Sequence, residues 1–137
     1  MASIRTEIEI DVDADLAWRV IGNWANGPVD MARGHVVSSH ADGGIRLVTF
    51  AAGTVARERL IARDETARRI VYSVIGDTVH PEHDNAAMQI VANGAGRCRF
   101  VWSRDVLPDE LAEPLLSSME AALPLIKRTL EDGLAAE

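Results

Sequence analysis

The stretch VARERLIARDETARRIVYSVI, residues 55–75, decides how this chain folds. Arg57, Arg59 and Arg63 fall at odd positions, and Ala56, Glu58, Leu60 and Ala62 at even ones. Successive side chains of a strand point to opposite faces, so the arginines define a wet face and Glu58 stands on the apolar one. A carboxylate there is costly unless it has a partner. Asp64-Glu65-Thr66 reads as a turn, so the stretch predicts two antiparallel strands.

Counting outward supplies the partner. If Phe50 and Thr54 face each other across the intervening turn, antiparallel pairing sets Val48 opposite Ala56 and Arg46 opposite Glu58. The same counting across the Asp64 turn brings Glu58 near Val74 and Leu60 near Tyr72. One face then carries Arg46, Val48, Phe50, Ala56, Glu58, Leu60, Tyr72 and Val74. The Arg46–Glu58 pair can be a structural ion pair or can orient a polar group of a ligand. With Glu58 as general base, it can also be catalytic.

Ile4, Thr6, Ile8, Ile10 and Val12 alternate with Arg5, Glu7, Glu9 and Asp11, which predicts a half-buried first strand. Asp13 is placed to cap a first helix that stops at Gly22, and Val29 to Arg33 is at most a short second one. Trp18 is expected in packing and Trp24 at the mouth of a cavity over the buried face. From His35 onward, turn clusters at Asp42-Gly43-Gly44, Ala52-Gly53, Asp64-Glu65-Thr66, Gly76 to Asp84 and Asn93 to Gly96 divide about six strands. After Pro108 the period becomes helical. Leu111, Leu115, Met119, Ala122, Leu123, Ile126, Leu130 and Leu134 form one stripe, interrupted by Pro124. Pro114 either bends this helix or marks its regular start.

The predicted class is α+β, a helix-grip fold: a curved antiparallel sheet of about seven strands around a long last helix, with two short helices after the first strand. Sheet and helix held apart at one end enclose a cavity. The 137 residues, without a shift in composition, fit one domain over 1–137. The net charge of −7 disfavours a nucleic-acid backbone or an anionic membrane as partner. Cys98 is the lone cysteine, which excludes an intramolecular disulfide and points to the reducing cytoplasm. Met1 to Ile10 is patterned as a strand and not as a signal peptide. No stretch approaches the roughly 18 apolar residues of a membrane span.

His80-Pro81-Glu82-His83-Asp84 gathers ligand-type side chains, but on a loop that no helix stiffens, so it predicts no metal site. No nucleophilic triad and no phosphate-binding glycine loop is present, and no cofactor is called for. Cys98, Phe100 and Trp102 alternate with Arg97, Arg99 and Ser103 and so face inward. Leu115, Met119, Ala122, Leu123 and Ile126 would form a helical wall.

The element order resembles the START-like superfamily, also called SRPBCC or the birch-pollen-allergen fold, and within it the bacterial polyketide cyclase/dehydrase-like branch. The residues that carry the likeness are Ala17-Trp18, Gly44-Ile45-Arg46, Glu58-Arg59-Leu60 with Asp64, Tyr72-Ser73-Val74-Ile75, Trp102, and Leu125-Ile126-Lys127-Arg128 with Leu130-Glu131. The chain departs from it in reading Pro28-Val29-Asp30-Met31 where members often carry an aromatic residue. The resemblance implies that Trp102 lines the cavity and that His80 or His83 gates its mouth or moves protons there. It implies a protein that binds a small, mainly hydrophobic molecule. One alternative is a cyclase or dehydratase using the same cavity with Arg46, Glu58, Tyr72 and a loop histidine. Another is a protein-interaction module with a closed cavity. A homodimer is compatible with either.

Overall fold

The computed structural model describes residues 1–78 and 80–135, with the side chains of 134 and 135 excepted. The chain runs β1 (Ala2–Ile10), α1 (Ala14–Ile21), α2 (Gly27–Met31), β2 (Val36–Asp42), β3 (Ile45–Phe50), β4 (Val55–Asp64), β5 (Arg69–Asp77), β6 (His83–Ala92), β7 (Cys98–Leu107), a short turn of 3-10 helix and α3 (Ala112–Ala135). The strands form one antiparallel sheet in the order β1-β7-β6-β5-β4-β3-β2. Hairpins build the meander from β2 to β7, and β1 closes it by pairing with β7. No helix among the described residues is long and apolar enough to cross a membrane.

The register is the one the alternation predicts at its centre. Arg46 pairs with Glu58 and Val48 with Ala56, while Glu58 pairs with Val74 and Leu60 with Tyr72. Two irregularities flank these pairs. Between Leu60/Tyr72 and Ala62/Val71 the extra residue is Ile61, and between Arg57/Gly76 and Glu58/Val74 it is Ile75. An unpaired extra residue reverses the alternation beyond it. Arg63, expected on the wet face, is therefore turned toward α1, where its Nε donates to the Gly22 carbonyl at 2.6 Å. Its guanidinium lies 5.1 Å from the centre of the Trp18 ring.

The helices pack against this inner face. Asp13 caps α1 by accepting from the Asp15 N–H. The second helix starts earlier than the expected Val29, at Gly27. Pro28 falls in its first turn, where no amide hydrogen is needed, so the proline suits the start of the helix. Pro114 likewise sits in the first turn of α3 and marks its start, while Pro124 lies on an exposed face of a helix that continues through it. Met119, Ala122, Leu123, Ile126 and Leu130 form the buried stripe of α3. The predicted Leu134 side chain lies outside the described residues.

The C-terminal half of α3 is tied down. Lys127 Nζ donates to the Glu9 carbonyl at 3.1 Å, and Glu131 accepts from the Asp11 N–H at 2.8 Å. Ile10, Ile21, Ile90, Phe100, Ile126 and Leu130 pack the core beneath it. The chain end of α1 is fixed by contact between Gly22 and Trp18. A Cβ added to Gly22 would stand 2.7 Å from the Trp18 ring. Gly22 has ordinary helical backbone angles (φ −81°, ψ −3°), so only this steric contact demands glycine. Gly22→Ala should therefore cost about 1–3 kcal/mol in urea unfolding, and Trp18→Leu in the same chain should relieve most of that increment. An alanine variant as stable as the parent would show that the contact yields freely.

Candidate functional site

Where α3 is not tied down, it stands off the sheet and leaves a cavity of about 350 Å³. Val48, Phe50, Ala56, Val74 and Met88 supply its sheet wall, Met119, Ala122 and Ile126 its helical wall, and Met31 and Val36 one side. His35, Ala52 and Ser118 line it while remaining exposed, so they mark the mouth, between the start of β2, the β3–β4 turn and the N-terminal part of α3. The His35 ring meets Phe50 edge-on at 5.5 Å.

Five consecutive strands each place one polar side chain on the inner face at this level: Arg46 on β3, Glu58 on β4, Tyr72 on β5, Asp84 on β6 and Arg104 on β7. Arg46, 3% exposed, donates from Nε to Glu58 Oε1 at 2.7 Å and from its terminal nitrogen to the Trp24 carbonyl at 3.1 Å. Its guanidinium lies between two rings, 3.9 Å from the centre of Trp24 and 5.0 Å from that of Tyr72, an arrangement favourable to a desolvated cation. Arg104 forks onto Asp84, donating from Nε to Oδ1 at 3.0 Å and from a terminal nitrogen to Oδ2, the bidentate geometry that suits guanidinium and carboxylate.

These surroundings move the titrations. Burial raises the Glu58 carboxyl above its ordinary value of 4.5, against the opposing pull of Arg46. Burial, followed by the nearby Glu58 charge, pushes the Tyr72 hydroxyl up to about 12, so it stays a neutral donor. The Tyr72 hydroxyl makes no hydrogen bond of ordinary geometry among the described residues. The Trp102 Nε1 beside it is also buried without a partner, although it lies close enough to Tyr72 to favour its ionised form.

The residues named from sequence divide as follows. Arg46, Val48, Phe50, Ala56, Glu58, Tyr72, Val74, Trp102 and Met119 come together on the cavity wall. Leu60, Leu123, His80 and His83 do not. Leu60 packs against the buried core. Leu123 turns toward β1, beside Thr6 and Ile8. His83 belongs to β6, opposite Leu107, and alternation turns it outward because its neighbour Asp84 faces in. His80 is exposed, with its ring against Gly76. Their loop does lie at the mouth end, since Thr78 bonds Val55 through both its amide and its hydroxyl, but neither histidine reaches the cavity. Asp84, read with that loop, is instead a strand residue held by Arg104. No three metal-binding side chains converge among the described residues.

Sequence reasoning missed the lining residues Arg104, Met88 and His35 and the pairing of Arg104 with Asp84 behind the wall. Arg104 was detectable, because the inward series Cys98, Phe100, Trp102 reaches it at the next step.

A curved antiparallel sheet gripping one long helix around such a cavity is the helix-grip architecture of START-like (SRPBCC) proteins. The chain belongs to the family described as polyketide cyclase / dehydrase and lipid transport, whose model matches residues 1–136. Among curated proteins, none matches the sequence. An uncharacterised protein of Bacillus thuringiensis has the same fold, with a TM-score of 0.82 at 19% identity over 94% of this chain and 98% of its own. Norcoclaurine synthase from Thalictrum flavum, in complex with dopamine and hydroxybenzaldehyde, gives 0.72 at 20% identity over 99% and 87%. The di-domain ARO/CYC BexL from the BE-7585A biosynthetic pathway gives 0.79 at 17% identity over 96% of this chain and 47% of that one.

Because the folded-state value for Glu58 is raised, its contribution to stability is full below 4.5 and is lost as pH rises through the shifted value. Glutamine cannot ionise. Whatever the absolute cost of Glu58→Gln, the melting temperature of the parent minus that of the variant should fall between about pH 4 and about pH 8. A difference that stays flat or grows would place Glu58 in a solvated setting.

Proposed function

We propose that this protein is a cytosolic binder of a small, mainly apolar molecule, held between the sheet and the N-terminal half of α3, with Arg46 and Glu58 as its polar anchor. The observation that carries this reading is the cavity itself. Its walls are largely aliphatic, a few polar groups converge on one side, and it opens at one end, the usual make-up of a site for a small ligand. A closed interaction module has no use for that volume. Membership of a family described by cyclase, dehydrase and lipid-transport activities supports the same reading.

A second reading is favoured by one observation. Glu58 has an oxygen not used by Arg46, a carboxyl shifted toward the range of a general base, and the neutral Tyr72 hydroxyl near by. A cyclase or dehydratase working in the same cavity would draw on these groups. The norcoclaurine synthase complex with dopamine and hydroxybenzaldehyde supports the idea that this fold can bring small aromatic reactants together.

Native mass spectrometry of the purified protein should show a co-purified small molecule, and Ala122→Phe, which fills the cavity from α3, should abolish it while the fold is kept. Glu58→Gln separates a binder from a dehydratase. A binder carries the same bound mass in parent and variant, whereas in a dehydratase the parent holds a molecule lighter by one water. An Ala122→Phe protein that retains the adduct would place the ligand elsewhere.

A further inference from the structure

The polar wall of the cavity has more donors than acceptors. Arg46 uses Nε and one terminal nitrogen, which leaves the other terminal nitrogen without a partner among the described residues. Arg104 commits Nε and one terminal nitrogen to Asp84, which also leaves one. The Tyr72 hydroxyl is a third donor. None of these three is among the buried polar atoms that lack both a partner and any accessible surface, and all three residues line the cavity. Against them stand, on this wall among the described residues, two uncommitted acceptors, Glu58 Oε2 and the Tyr72 hydroxyl oxygen itself, since both Asp84 oxygens are engaged.

Tyr72 occupies the centre of this group. The Arg46 guanidinium lies over its ring. Its neighbour on β6 is the small Ala86, whose partner on β7 is Arg104. Alanine leaves the space through which the tyrosine and Arg104 side chains approach over the sheet. Buried donors are stabilised by meeting acceptors, and guanidinium nitrogens most by meeting an anionic oxygen.

We infer that Tyr72, Arg46 and Arg104 form a head-group site for the carboxylate of an apolar monocarboxylic acid, whose body extends along the aliphatic walls toward the mouth. Asp84 is a positioning residue that fixes the Arg104 fork. The assignment rests on the ligand-binding reading of the cavity and names the chemical class of its ligand. The charged and titratable groups facing Glu58 are Arg46 from β3, Tyr72 from β5, Asp84 from β6 and Arg104 from β7. When the acid enters, Glu58 is the wall carboxyl able to take up a proton, so the site gains an anion without gaining a net negative charge.

Three probes of similar shape test this: 2-naphthoate, the neutral ketone 2-acetylnaphthalene and the hydrocarbon 2-ethylnaphthalene, titrated into the full chain by calorimetry. The acid should bind about tenfold tighter than the hydrocarbon, as expected for hydrogen bonds to charged donors, and tighter than the ketone. Tyr72→Phe, an isosteric change, should reduce that preference. Replacing the ion pair as a unit, Asp84→Leu with Arg104→Met, avoids leaving one charge buried alone, and should remove most of the preference while hydrocarbon binding persists. Hydrocarbon binding with no preference for the acid, a ketone that binds as well as the acid, or a preference that survives the paired replacement would each overturn the carboxylate site and leave the cavity reading standing. Failure of all three probes to bind the parent chain would overturn both.

Discussion

The arginine at position 46 is almost wholly withdrawn from solvent, and much of the surrounding structure compensates for that. Glu58 supplies the counter-charge from the next strand, the Trp24 carbonyl accepts a second hydrogen bond, and the Trp24 and Tyr72 rings close over its faces. One guanidinium thus connects β3, β4, β5 and the link between α1 and α2. Losing one partner of such a buried pair costs about 3–5 kcal/mol because the other charge is stranded. A stabilising apolar pair could replace it in a protein that only had to fold. Here the pair stands on the cavity wall, where the proposed ligand would meet it.

The cavity exists because α3 is held unevenly. Lys127 and Glu131 fasten its C-terminal half to the end of β1, and the largest core side chains fill the space there. Toward Leu115 and Ser118 no comparable tie is present among the described residues, and the sheet face opposite offers Val48, Ala56 and Val74, which are too short to reach across. Core at one end and cavity at the other are two parts of one amphipathic stripe.

Much of this was legible in the sequence. Strict alternation fixes the faces of β3, β4 and β5 at their centres, so the Arg46–Glu58 pair and the wall from Val48 to Val74 could be counted from turns alone. Counting fails where the backbone inserts a residue. Ile61 and Ile75 break the register, and the first turns Arg63 from solvent to α1. An isoleucine among arginines on the wet face was the available sign. The histidines were not placed for another reason: a loop sequence does not encode where the His80 side chain points, and the same run hides that His83 already begins β6. Asp84 was hidden in that loop-like run, so the second ion pair, which depends on a contact between strands twenty residues apart, could not be seen.

The most direct test of a charge pair buried in the wall of the cavity is a carbon-13 NMR titration of the Glu58 side-chain carboxyl in the intact protein. A midpoint above the ordinary 4.5 is expected, with burial outweighing the attraction of Arg46. A midpoint at or below 4.5 would contradict it and describe a well-solvated salt bridge.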